Sequence, residues 1–79
     1  MNIDIRFEES PTEQTKINAP VMADKLRLRL APLADVIEGQ DVRLTLYFLE
    51  DGTCRLLIDA GPELEKQISD LAGAPESWN

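Results

Sequence analysis

Apolar and polar residues alternate at the start of the chain, where Ile3, Ile5 and Phe7 are separated by Asp4 and Arg6. A period of two puts alternate side chains on opposite faces, so residues 2–7 predict a half-buried strand. The period returns in Arg43-Leu44-Thr45-Leu46-Tyr47-Phe48 and in Cys54-Arg55-Leu56-Leu57-Ile58-Asp59. These two runs predict a hairpin over residues 41–49 and 53–59. Its register follows from the pleat. A two-residue turn at Asp51-Gly52 sets Phe48 against Arg55 and Leu44 against Asp59, which puts charge on an apolar face. A three-residue loop, Glu50-Asp51-Gly52, pairs Phe48 with Cys54, Leu46 with Leu56, and Leu44 with Ile58. The other face then sets Arg43 opposite Asp59 and Tyr47 opposite Arg55, and Gly52 takes the left-handed position of the loop.

A longer period governs the rest. Met22, Leu26, Leu30, Leu33 and Ile37 recur at helical spacing. Leu26, Leu28 and Leu30 also alternate with Arg27 and Arg29, but no β-branched residue occurs from Ala23 to Ala34, which favours a helix. A helical region over 19–38 follows, with Asn18 as N-cap, a break near Pro32 and an end at Gly39. Residues 8–16 read as an acidic loop. Gly61-Pro62 opens a last helix, 62–72, whose buried stripe is Leu64, Ile68, Leu71 and Ala72. Gly73 ends it and Pro75 prevents its resumption, leaving 74–79 as a tail. The order β-α-(α)-β-β-α predicts an α+β two-layer sandwich, a three-stranded sheet with the helices on one face. The other face carries Asp4, Arg6, Arg43, Thr45, Tyr47, Arg55 and Leu57.

Composition narrows the function classes. At 79 residues the chain, 1–79, reads as one domain, able to bury only ~60–65% of its unfolded surface. Fifteen acids against eight bases give a net charge of −7. That disfavours direct binding to nucleic acid, where affinity comes from Lys and Arg displacing counterions, and suits a partner with a basic surface. One cysteine, Cys54, and no histidine disfavour disulfides, ordinary zinc sites and His-based catalysis. No basic-then-apolar leader opens the chain and no apolar run is long enough to span a membrane, so the expected location is the cytoplasm. No cofactor is expected.

Each remaining constellation has an ordinary reading. Arg6, Arg43, Arg55 and Tyr47 share the open sheet face as in an RNA-binding sheet, but Asp4 and Asp59 beside them favour solvated cross-strand pairs. The element order also fits a KH-type RNA module, yet Leu30-Ala31-Pro32-Leu33 stands where that module needs Gly-x-x-Gly. Lys25, Arg27 and Arg29 read as helix-solubilising charge. Glu8-Glu9 and Glu50-Asp51 read as surface charge, and Cys54 as a core residue. Trp78 either folds back over the core or anchors a partner.

Met1-Asn2-Ile3-Asp4-Ile5 is similar to the opening strand of the small DinI-like proteins of bacteria and their phages. Glu65-Lys66-Gln67-Ile68-Ser69-Asp70-Leu71 resembles their closing helix, and Glu76-Ser77-Trp78 their acidic-and-Trp terminus. The resemblance covers nearly the whole chain in length, acidity and element order. It implies a modulator of the RecA recombinase filament in the DNA-damage response, whose acidic last helix imitates a DNA backbone. Carried over, the partner-binding residues are Glu63, Glu65, Asp70, Glu76 and Trp78. The chain departs from that pattern where Gly73 and Pro75 shorten the helix. The expected function is therefore a small non-enzymatic, protein-binding modulator that presents carboxylates to a basic groove such as that of a RecA-type recombinase. Two alternatives remain: a homodimeric interaction domain joined through its open sheet face or edge, and a cofactor-free enzyme using Asp or Glu.

Overall fold

The computed structural model describes residues 1–78. Strand β1 (Ile3–Phe7) leads into a long helix α1 (Glu13–Leu30), a 3₁₀ turn at Ala31–Leu33 and a short helix α2 (Ala34–Glu38). The hairpin β2 (Arg43–Phe48) and β3 (Cys54–Asp59) follows, then α3 (Pro62–Ala72) and a second 3₁₀ turn at Pro75–Ser77. The sheet order is β1-β2-β3, with β1 parallel to β2 and β2 antiparallel to β3. This is the expected α+β arrangement with a three-stranded sheet. A parallel pair needs a long crossover, and α1 and α2 supply it.

The hairpin takes the register that the pleat demands. Phe48 pairs with Cys54, Leu46 with Leu56, Leu44 with Ile58, Tyr47 with Arg55 and Arg43 with Asp59. The Leu49 amide donates to the Thr53 carbonyl across the loop Glu50-Asp51-Gly52, and Gly52 has φ +87°. Leu44, Leu46 and Phe48 are buried against the helices, while Asp4, Arg6 and Arg55 on the other face are exposed.

Helix α1 corrects the expected boundaries. It starts at Glu13, not near Asn18, so the second half of the expected 8–16 loop is helical. Thr12 is the N-cap, its Oγ1 accepting the Thr15 amide at 3.1 Å. Pro20 consequently lies inside the helix, on its exposed side, and deprives the Lys16 carbonyl of its usual donor. The buried stripe is Ala19, Ala23, Leu26 and Leu30, with Met22 and Leu33 packed at its margin and Ile37 of α2 buried. Residues 25–30 are helical throughout.

Two further expectations change. Ile5 and Phe7 point to the helix side but are each 36% exposed, because α1 and α3 leave the β1 margin partly uncovered. The tail, expected to be loosely held, is structured as far as Trp78, which takes the first of its two readings and folds back over the core, only 4% exposed. Gly73, at φ +67°, turns the chain back, and the Trp78 Nε1–H donates to the Ala72 carbonyl at 2.6 Å. Residue 79, the end of the expected tail, lies outside the described residues. Among the described residues, no helix is long and apolar enough to cross a membrane.

Candidate functional site

The segments around α2 and α3 are acidic, with Glu38 alone of their carboxylates ion-paired among the described residues, to the Met1 ammonium at 3.0 Å. Asp35 and Glu38 of α2, Asp41 before β2, Glu63, Glu65 and Asp70 of α3, and Glu76 after it share those segments with a single base, Lys66. The open sheet face nearly balances, with Arg6, Arg43 and Arg55 against Asp4 and Asp59. Helix α1 is itself slightly basic, through Lys16, Lys25, Arg27 and Arg29. The net charge of −7 is thus concentrated on the α2–α3 side and at the hairpin tip, where Glu8, Glu9, Glu50 and Asp51 lie.

An open groove of about 710 Å³ runs between α2 and the start of α3. Gly39 ends α2, and a turn from the Gln40 carbonyl to the Val42 amide carries the chain into β2. Gly61 and Pro62 start α3 on the opposite wall. Val36, Val42 and Leu64 give the groove its apolar surface; Asp41 and Glu63 supply carboxylates, and Gln40 and Gln67 supply amides. Val36 is 47% exposed because it lies off the face that buries Ile37. Carboxylates beside aliphatic surface can receive a Lys or Arg head group while the stem of that side chain lies on the valines.

The structure divides the expected partner-binding residues. Glu63, Glu65, Asp70 and Glu76 are all exposed, and among the described residues none forms an ion pair. Glu63 and Asp70 are two helical turns apart, so they share the outward side of α3 with Lys66 between them. Glu65 lies on the other flank of the helix, about 140–160° around from them. Glu76 lies at the far end, in a cleft shared with Asp51, Gly52 and Thr53. Trp78 does not belong with them: its ring closes the core beneath α3, which removes it as an exposed anchor.

The other singled-out groups have structural work. Glu8 Oε2 accepts the Glu50 amide at 2.9 Å and ties the end of β1 to the hairpin loop. Asp51 accepts the Thr53 amide at 2.9 Å, and its hydrogen bonds to Thr53 hold its carboxyl below the ordinary value. Arg27 pairs with Asp24 at 2.7 Å, and Arg29 donates to the Ser77 carbonyl at 3.1 Å. Burial pushes the Cys54 thiol up to about 11, so it is protonated at neutral pH.

Sequence reading missed Val36, Gln40, Asp41, Val42 and Gln67 as groove residues. One signal was present: Val36 is an apolar residue off the Leu33–Ile37 stripe. The approach of α2 to α3 is a tertiary fact that no local period encodes. The chain matches no protein-family model, no curated protein and no solved structure.

Proposed function

We propose that this protein is a non-enzymatic binding module that docks a basic protein surface along α3 and the α2–α3 groove. The observation that carries this reading is the groove itself, with apolar walls and free carboxylates continuous with those of α3. A carboxylate held in no ion pair leaves most of its field available to a partner. The aliphatic surface adds what charge alone lacks, a desolvated contact that fixes register. The resemblance to DinI-like proteins supplies a specific partner, a RecA-type recombinase whose basic groove otherwise holds DNA. Lys66 and the early end of α3 make the charged ridge shorter and sparser than a nucleic-acid backbone, so the groove carries more of the contact in this chain.

The test is a binding titration with a RecA-type filament assembled on single-stranded DNA, repeated across ionic strength. Glu63→Gln, Glu65→Gln and Asp70→Asn together remove three charges with little change of shape. The triple variant binds about tenfold more weakly, and its affinity depends less on salt than that of the native chain. Equal affinity in both proteins at low salt would exclude a charge-based mode.

A further inference from the structure

We infer that β1 is a self-recognition edge and that two copies of this chain join through it into one continuous six-stranded sheet. Three independent observations converge on it. First, β1 has a neighbour on one side only, and Asp4, Ile5, Arg6 and Phe7 are all exposed. The Glu8 amide donates to the Phe48 carbonyl, so by alternation the backbone groups of Asp4 and Arg6 also turn toward β2. Those of Ile3, Ile5 and Phe7 face outward, unpaired in the sheet, with Ile3 itself only 7% exposed. Second, the edge holds no proline, no lysine and no positive-φ residue, and its two charged side chains, Asp4 and Arg6, are of opposite sign.

Third, the strand is complementary to itself in one antiparallel register. With Ile5 opposite Ile5 of the other copy, the outward-facing residues form hydrogen-bonded pairs throughout, about six backbone bonds in all. On the open face Asp4 of each copy then lies opposite Arg6 of the other. Both side chains are exposed, and among the described residues neither forms an ion pair. On the helix side, Ile3 meets Phe7, and the half-covered Ile5 and Phe7 gain apolar neighbours. A shift of two residues either way sets Asp4 against Asp4 or Arg6 against Arg6, so charge selects this register alone. On the other edge, β3, Cys54, Leu56 and Ile58 are partly buried and pack beside the core, while Leu57 on the open face is 50% exposed.

Analytical ultracentrifugation with a far-UV circular dichroism control tests the edge and its register together. The native chain, 8.9 kDa, sediments as a dimer. Asp4→Arg or Arg6→Asp alone sets like charges opposite twice and raises the dimer dissociation constant about tenfold or more. The double exchange Asp4→Arg/Arg6→Asp restores the opposite pairing and the native dissociation constant, with all spectra unchanged. A monomeric native chain, a dimer indifferent to the single reversals, or a double variant that stays dissociated overturns the inference. A dimer that responds instead to Arg55→Asp assigns the contact to β3 and overturns it equally.

Discussion

Trp78 holds the end of the chain by two separate contributions. Its ring is buried beneath α3, and its indole N–H satisfies the Ala72 carbonyl, one of the carbonyls that the end of α3 leaves without an intrahelical partner. Trp78→Ala loses both and costs about 3–5 kcal/mol, most of the stability of so small a domain. Trp78→Phe keeps an aromatic ring but not the bond and costs about 1 kcal/mol beyond any packing change. Urea unfolding of the three proteins gives both differences. Cys54 is a second residue whose behaviour follows from its surroundings. Because its thiol ionises at about 11 rather than 9.0, iodoacetamide at pH 8 reacts on the order of a hundredfold more slowly than with free cysteine. The sign of the linkage is fixed too. The stability tied to the neutral thiol is whole below its ordinary value of 9.0 and is lost as pH rises toward about 11. Labelling at the rate of free cysteine would show that the side chain is not sheltered.

The elements differ in how much of them could be read in advance. The hairpin was fully legible, because a shift of one residue moves Leu44, Leu46 and Phe48 to the wrong face and only one loop length avoids it. Helix α3 was legible through Pro62 at its start and Gly73 at its end. Helix α1 was not. Ile17, Val21 and Leu28 lie on its outer side, 60%, 47% and 77% exposed, so apolar residues mark two opposed faces and the period loses its contrast. Pro20 added to the misreading, since proline usually belongs to a first turn and here sits well inside the helix. Pro20→Ala restores a donor for the Lys16 carbonyl. Its gain of about 3 kcal/mol in helix preference is offset by about 1 kcal/mol of unfolded-chain freedom. Thermal unfolding of that variant reports a net stabilisation of about 2 kcal/mol; a lower midpoint would mean that proline's restraint outweighs the lost bond. The carboxylates of α3 were visible in the sequence, but the groove beside them was not, because Val36, Asp41 and Glu63 meet only once α2 and α3 are placed.

At the scale of the whole molecule, charge and shape divide the surface into distinct regions. The open sheet face is close to neutral and flat, α1 is mildly basic, and the α2–α3 side holds the largest share of the carboxylates. The proposed β1 pairing would extend the sheet and keep the helix layers of both copies on its same side. The residues that line the α2–α3 groove, between 36 and 67, include none of β1. We propose that a basic partner meets the acidic helix side rather than the sheet. The most direct measurement is amide signal loss in nuclear magnetic resonance spectra of the labelled chain as a RecA-type filament is added. Loss centred on residues 36–42 and 61–70 is expected. Loss centred on Asp4, Arg6, Tyr47 and Arg55 would contradict it, and so would spectra that never change.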